Sequence, residues 1–152
     1  MKCVRILAFT LAAACAMRLC ADTPVYVEAS AGALMPGGGR RFERSALWSV
    51  RAGVSVSDWW NVEAEFGEGR VNAASARVLW RPIGYEQFDP FISLGAAGFG
   101  NSSWCAGPEF GIGFLWYLGD RLSLRADLRS AIALDGAVGP VSSALIGIGW
   151  TF

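Results

Sequence analysis

The carboxyl-terminal end of the chain alternates strictly between apolar side chains and small or polar ones. Successive side chains of a β-strand point to opposite faces, so one face of this segment carries Ala144, Ile146, Ile148, Trp150 and Phe152. In water the end of a chain frays, and a soluble protein would gain little by placing large rings there. The ending therefore favours a strand whose apolar face is covered by lipid.

The same ending resembles the C-terminal assembly signal of bacterial outer-membrane proteins. Gly147, Trp150 and Phe152 stand at its glycine, aromatic and terminal-aromatic positions, and Leu145 stands where that signal usually has a polar residue. The resemblance implies that this strand closes a transmembrane β-barrel and that the barrel-assembly machinery binds it during biogenesis. Its aromatic residues would then lie in the interfacial girdle of the barrel.

The amino-terminal end predicts export. Lys2 and Arg5 precede an apolar run over residues 6–17, which is typical of a secretory signal peptide and too short to span a membrane. We predict a signal peptide over residues 1–21 and one mature domain over residues 22–152. Cleavage after Ala16 is the alternative, because Ala14-Cys15-Ala16 fits the small-x-small rule best. A lipoprotein site at Cys15 is disfavoured because the leucine that usually begins that motif is missing.

The composition of the predicted mature chain suits one barrel domain. Removing residues 1–21 leaves ten arginines and no lysine against 13 acidic residues, a net charge of −3. Only Cys105 remains of the four cysteines, which excludes an intramolecular disulfide. The full chain is 53% hydrophobic with 19 glycines, yet it has no apolar run of helix-spanning length. We expect a lipid-facing outside and a closely packed inside.

Period-two alternation predicts an all-β fold, an eight-stranded antiparallel up-and-down transmembrane β-barrel. Each strand is close to the roughly 9–11 residues that a tilted strand needs to cross the hydrocarbon layer. A soluble β-sandwich or lipocalin-like barrel has the same period, so the alternation alone does not say which face is inside. The predicted strands are Pro24–Leu34, Ser45–Val56, Trp59–Glu68, Val71–Pro82, Phe88–Phe99, Cys105–Leu118, Arg121–Ala133 and Pro140–Phe152.

Connection lengths predict the orientation, since bacterial barrels have short periplasmic turns and longer outer loops. The predicted periplasmic turns are Ser57-Asp58, Ile83–Gln87 and Gly119-Asp120, and the predicted outer loops are Met35–Arg44, Gly67–Arg70, Gly100–Trp104 and Leu134–Gly139. This assignment places tryptophans at the strand ends, as an aromatic girdle requires. Those near the periplasmic ends are Trp59, Trp60, Trp80, Trp116 and Trp150, and those near the outer rim are Trp48 and Trp104.

Two fragments carry a family resemblance. Residues 50–66 read as a strand, a Ser-Asp turn and a second strand, and residues 88–98 read as an x-Pro-Phe entry to a glycine-rich strand. They resemble the OmpA-like eight-stranded membrane domain and related small outer-membrane β-barrel proteins over nearly the whole mature chain. The resemblance implies the fold and the outer membrane as the location. No peptidoglycan-binding domain follows, so we do not expect the anchoring role of full-length OmpA.

Ten charged side chains alternate towards the predicted interior. An eight-stranded barrel has an interior just wide enough for side chains to fill it, and an unpaired charge buried there costs several kcal/mol. We predict an ion-pair network that plugs the interior, with Glu65 in reach of both Arg51 and Arg77; a gated pore or a catalytic carboxylate pair is the alternative. The ten residues are Glu28, Arg51, Glu63, Glu65, Arg77, Arg81, Glu109, Arg125, Asp127 and Arg129.

The residues that are missing argue against catalysis and metal binding. The chain has no histidine. Small outer-membrane barrels that act as enzymes resemble one another in needing a histidine. Cys105 has Glu109 nearby but no visible third group to orient a base. Without histidine, and with one cysteine, only scattered carboxylates remain as metal ligands. We expect no catalytic residues, no metal site and no cofactor.

The partners that we expect are outer-membrane lipid and lipopolysaccharide, with the barrel as a monomer. Arg40, Arg41 and Arg44 form the largest basic cluster, which is too short for nucleic-acid binding. It is a solvated loop tip or a contact for anionic lipopolysaccharide headgroups. The leading hypothesis is a non-catalytic outer-membrane barrel with a structural or surface-exposed role. The alternatives are a loop-mediated adhesin or ligand-binding barrel, and a soluble periplasmic lipocalin-like barrel.

Overall fold

The computed structural model describes residues 23–37, 43–83, 87–134 and 139–152. Within these ranges the chain forms eight strands, none of which departs from the predicted set by more than a few residues at either end. The predicted signal peptide, both cleavage points, and the loop arginines Arg40 and Arg41 lie outside the described residues. The strands are β1 Val25–Pro36, β2 Ser45–Ser57, β3 Trp60–Gly69, β4 Asn72–Trp80, β5 Phe88–Gly100, β6 Trp104–Tyr117, β7 Leu122–Ala131 and β8 Val141–Thr151.

The strands form a closed antiparallel barrel. Each strand pairs with its neighbour in sequence, and β1 pairs with β8 from Tyr26 opposite Thr151 to Pro36 opposite Val141. Closure leaves no strand edge unpaired, which removes the usual route to edge-to-edge aggregation. The predicted eight-stranded up-and-down barrel is confirmed. In the part of the chain that the structure describes, there is no helix that is long and apolar enough to cross a bilayer.

The two ends of the barrel differ in their connections. Residues 58–59, 81–87 and 118–121 connect strands at the end that also carries the two ends of the sheet, Val25 and Thr151. We call this the terminal end and the opposite one the loop end. Connections at the loop end range from residues 70–71 to residues 132–140. Two of these four connections, at residues 70–71 and 101–103, are as short as a hairpin turn, and the connections at residues 37–44 and 132–140 are longer.

Alternation divides the side chains into an outer and an inner set. All seven tryptophans are at least 41% exposed, and apolar side chains in mid-strand such as Leu94 and Ile146 are 63% and 72% exposed. The charged residues in the middle of the strands are buried instead; Arg51, for example, is 0% exposed. The sheet is thus apolar outside and charged inside, the reverse of the pattern that water would favour.

The enclosed space, the lumen, is filled in three layers. At the loop end lies an outer apolar cap, in the middle lies the charged layer, and towards the terminal end lies an inner apolar layer of Leu79, Phe91 and Leu115 with Tyr117 against it. The alternation of charged residues in the sequence predicts the charged layer but neither of the two apolar layers. The outer apolar cap consists of Leu34, Leu47, Val71, Ala97, Phe99, Cys105, Ala131, Ala133, Val141 and Leu145.

Candidate functional site

The structure places nine of the ten predicted interior charges in the charged layer. All nine are at most 8% exposed, and they come from six of the eight strands: Glu28 (β1), Arg51 (β2), Glu63 and Glu65 (β3), Arg77 (β4), Glu109 (β6), and Arg125, Asp127 and Arg129 (β7). The tenth, Arg81, lies just beyond β4, and its Nε is 2.5 Å from Asp89 Oδ2 at the terminal end. The Arg81–Asp89 pair is separate from the charged layer, because Leu79 on β4 and Phe91 on β5 lie between this pair and the layer.

Arg51 connects three strands through its guanidinium. Its Nη1 is 2.7 Å from Glu28 Oε1 on β1, and its Nη2 is 2.5 Å from Glu65 Oε2 on β3. The same Nη2 is 3.3 Å from Asp127 Oδ2 on β7, across the lumen. The planar fork of arginine suits this arrangement, because its five donors can serve several carboxylates at once and it stays charged.

Arg77 makes the second set of cross-lumen contacts. Its Nε donates to Glu63 Oε2 at 2.9 Å, and its Nη2 donates to Asp127 Oδ2 at 2.8 Å. The Nη2 atom is also 3.5 Å from Glu65 Oε2, and Nη1 is 3.4 Å from Glu109 Oε1. Glu65 therefore lies within ion-pair distance of both Arg51 and Arg77.

The arginines of β7 complete the network. Arg125 Nη1 is 2.5 Å from Glu63 Oε1, and the Arg125 guanidinium lies 4.2 Å from the centroid of the Phe91 ring in a cation–π contact. Arg129 Nη2 is 2.9 Å from Glu65 Oε1, and Arg129 Nη1 is 3.6 Å from Glu109 Oε1. Every carboxyl group of the layer thus lies within ion-pair distance of at least two guanidinium groups.

Inward glycines make room for this network. A Cβ atom at Gly147 would collide with the Glu28 carboxylate and would lie 2.9 Å from Ser30 Cβ. A Cβ atom at Gly111 would lie 2.6 Å from Ser93 Oγ and 2.9 Å from Arg129 Cγ. These contacts are closer than real Cβ atoms tolerate, so the glycines give the charged side chains the space that they occupy.

Tyr26 and Asp89 are two of several interior polar residues that the predicted set of ten does not include. Tyr26 donates a short hydrogen bond from its hydroxyl to Glu63 Oε1, and Asp89 is 0% exposed and pairs with Arg81. Both could have been found by parity, because Tyr26 is two residues before Glu28 on β1 and Asp89 is two residues before Phe91 on β5. Tyr26 adds a neutral donor to the charged layer, and Asp89 explains why Arg81 turns inward.

The assembly-signal residues occupy three different environments. Gly147 faces the lumen beside Glu28, whereas the Trp150 ring faces outward and is 45% exposed. Phe152 lies just beyond β8; its ring is 58% exposed and its N–H donates to the Val25 carbonyl at 2.8 Å. The last residue is therefore tied to β1 through the backbone rather than through its ring.

In the charged layer and at Cys105, no nucleophile is hydrogen-bonded to a histidine or another neutral base. The carboxyl groups of the charged layer face guanidinium groups, and the Cys105 Sγ donates to the Phe99 carbonyl at 3.4 Å within the outer apolar cap rather than to a base. No group of three or more histidine, cysteine, aspartate or glutamate side chains in the described ranges is arranged to hold a metal ion. What the arrangement does chemically is to bring charged groups of opposite sign together in the middle of the lumen.

Solved structures with the same fold are outer-membrane or membrane-inserting barrels. The N-terminal β-barrel domain of Pseudomonas aeruginosa OprF is 18% identical, with a TM-score of 0.65 over 84% of this chain and 97% of that one. Ail, the attachment invasion locus protein of Yersinia pestis, is 13% identical, with a TM-score of 0.57 over 86% and 97%. A de novo designed transmembrane β-barrel is 14% identical, with a TM-score of 0.65 over 85% and 95%.

These likenesses establish the fold of the chain, that of small eight-stranded transmembrane β-barrels. No protein-family model matches the sequence, and no curated protein matches it either.

Proposed function

We propose that the chain is a non-catalytic barrel of the bacterial outer membrane whose lumen is plugged and whose role is structural or surface-exposed. The single observation that carries this proposal is the charged layer, in which nine ionisable side chains at most 8% exposed contact one another across the lumen. The outward apolar face and the fold likenesses support the membrane location.

The dimensions of the outer face fit a bilayer. On β6, Trp104 and Trp116 are both 49% exposed and lie near opposite ends of the strand. Twelve residue steps of about 3.3 Å, tilted by about 45°, span roughly 28 Å. This is close to the roughly 30 Å hydrocarbon core of a bilayer, and tryptophan favours the two interfaces of that core.

A plugged lumen is supported by the way in which its layers alternate. An ion that crosses the barrel would have to pass the outer apolar cap, the charged layer and the inner apolar layer in turn. Opening the charged layer would separate several ion pairs in a low-dielectric space, and each guanidinium or carboxylate left without a partner would cost several kcal/mol. We therefore expect no stable conduction pathway at rest.

A surface role through the loops is a second candidate. The likeness to Ail, which is named for attachment and invasion, favours this role. Lipopolysaccharide headgroups are the anionic ligand that we propose for the basic cluster of Arg40, Arg41 and Arg44. Against it, the connections at residues 70–71 and 101–103 are short, which leaves little surface for a large partner.

Fractionation combined with gel mobility tests the membrane location. We expect the protein in the outer-membrane fraction, with different mobility on SDS gels before and after boiling. Recovery in the soluble periplasmic fraction, without a heat-dependent shift, would contradict the proposal. Planar-bilayer recordings test the plug separately: the wild-type protein should show little or no steady conductance, and large stable channels would favour a pore.

A further inference from the structure

The charged layer is not electrically balanced if all of its groups are ionised. Among the described residues it contains four guanidinium groups, from Arg51, Arg77, Arg125 and Arg129, and five carboxyl groups, from Glu28, Glu63, Glu65, Glu109 and Asp127. Arginine stays protonated in proteins, so the excess of one negative charge falls on the carboxyl groups. A buried carboxylate that lacks compensating charge takes up a proton rather than bear the full cost of desolvation.

Distances single out one of the five carboxyl groups. Glu28, Glu63, Glu65 and Asp127 each have a guanidinium nitrogen within 2.5–2.8 Å of an oxygen. The nearest guanidinium nitrogens to Glu109 are Arg77 Nη1 at 3.4 Å and Arg129 Nη1 at 3.6 Å, both to Oε1. Charge-assisted hydrogen bonds between nitrogen and oxygen are about 2.7–2.9 Å long, so Glu109 alone lacks a close ionic partner.

The surroundings of Glu109 offer it no further positive charge. Its neighbours in register are Gly95 on β5 and Ala131 on β7, and Phe99 and Ala97 of the outer apolar cap lie beside it along one small cavity. Both guanidiniums that face it are shared: Arg129 is 2.9 Å from Glu65, and Arg77 is 2.8 Å from Asp127. Glu109 is thus the carboxyl group at the border between the charged layer and the apolar cap.

A metal ion with its waters has no room beside Glu109. The adjoining cavity, lined by Glu65, Ser75, Glu109 and Arg129 among others, has a volume of about 10 Å³. That volume is at the lower limit of the roughly 10–15 Å³ needed for a single water molecule. Ser75 Oγ and the buried Arg129 Nε have no hydrogen-bond partner, so polar atoms without partners border the space that Glu109 faces.

We propose that Glu109 is a proton-binding site: the barrel folds with one proton on this carboxyl group, which leaves four carboxylates against four guanidiniums. The proton makes Glu109 a neutral donor and acceptor at the edge of the apolar cap. No covalent bond other than O–H forms, and the proton comes from solvent during folding. This inference rests on the lumen geometry and does not depend on the proposed surface role.

Infrared spectroscopy of the folded protein in detergent micelles tests the assignment. The probe is the carbonyl stretch of a protonated carboxylic acid, which is separate from the bands of carboxylates. We expect this band in the wild-type protein at neutral pH, its loss in Glu109→Gln, and its retention in Glu43→Gln, which changes an exposed carboxylate outside the charged layer. Absence of the band from the wild-type protein, or its persistence in Glu109→Gln, would overturn the proposal.

Stability gives a second readout, in which Glu109→Gln is compared with Glu65→Gln. Glutamine is close in shape to a protonated glutamate and takes up no proton on folding, so Glu109→Gln should keep or raise the urea midpoint at neutral pH, whereas Glu65→Gln should lower it. Because an unfolded glutamate releases its proton above about pH 4.3, proton uptake on folding makes the free energy of unfolding decrease as pH rises. The charged groups near Glu109 are Arg77, Arg129, Glu65 and Asp127.

The wild-type protein should therefore lose stability between weakly acidic and neutral pH, and Glu109→Gln should lose less. Equal pH slopes in the two proteins would show that Glu109 is ionised when folded. A wild-type midpoint that rises with added Na⁺ or K⁺, but not with the same concentration of a bulky organic cation, would indicate that a bound metal cation balances the layer instead.

Discussion

Arg51 on β2 and Glu65 on β3 lie directly opposite each other in register and are joined by two hydrogen bonds to the same oxygen. Arg51 Nε is 2.8 Å and Nη2 is 2.5 Å from Glu65 Oε2. The other oxygen of Glu65 accepts from Arg129 Nη2 at 2.9 Å, so this carboxylate links adjacent strands to the far wall of the lumen. Neither residue is more than 8% exposed.

Replacing Glu65 by alanine should destabilise the barrel strongly. The change removes the closest carboxylate of both Arg51 and Arg129, and breaking a buried ion pair in this way costs about 3–5 kcal/mol. Urea unfolding in lipid vesicles measures the loss, and bilayer recordings of the same variant should show intermittent openings. Glu43→Ala is the matched control, because the Glu43–Arg70 pair is exposed and such surface pairs contribute about 0–1 kcal/mol. Equal effects of the two variants would contradict the prediction.

Replacing Gly147 by alanine should also destabilise the folded barrel. The new Cβ would meet the Glu28 carboxylate and Ser30 Cβ, and overpacking of a filled interior costs about 1–3 kcal/mol. Thermal unfolding of the refolded protein measures this separately from any effect on assembly in cells. Gly119→Ala is the control, since nothing lies within 4 Å of a Cβ placed there. A wild-type melting curve for Gly147→Ala would mean that the lumen can expand at this point.

A charge on the outer face distinguishes a membrane barrel from a soluble one. Leu94 lies in the middle of β5 and is 63% exposed. Near the bilayer midplane an arginine on the lipid-facing side costs about 2–4 kcal/mol, so Leu94→Arg should fold into vesicles less stably than Leu94→Ala. In a soluble barrel an exposed leucine tolerates arginine. Unchanged folding of Leu94→Arg would therefore argue for the soluble alternative.

Changing Phe152 to aspartate should reduce assembly by more than its buried surface explains. The ring is 58% exposed, and the contact of the residue with β1 is a backbone hydrogen bond, which aspartate can also make. A loss would then reflect the assembly signal and the lipid interface rather than packing. Surface levels in cells, compared with those of Phe152→Trp, provide the measurement. If Phe152→Asp reaches normal levels, the resemblance of the ending to an assembly signal is accidental.

Local pattern was sufficient to predict the strands and the face on which each side chain lies. Alternation has a period of two whatever the neighbouring strands are, so Arg51 and Glu65 could be assigned to the same side from their own segments alone. The same parity assigns Tyr26 and Asp89 to the lumen as well, because Tyr26 alternates in step with Glu28 on β1 and Asp89 with Phe91 on β5. Strand parity is a property of the backbone and needs no tertiary information.

The sequence by itself determined that this chain forms eight strands with an apolar outside and a charged inside. Only the tertiary structure decided which charges meet, because contacts across the lumen depend on barrel closure and on the stagger between strands. The 2.8 Å contact between Arg77 on β4 and Asp127 on β7 joins residues that no local pattern relates. The longer contacts that leave Glu109 apart from the other carboxylates, and the apolar layers on either side, likewise arise only when all eight strands surround one narrow space.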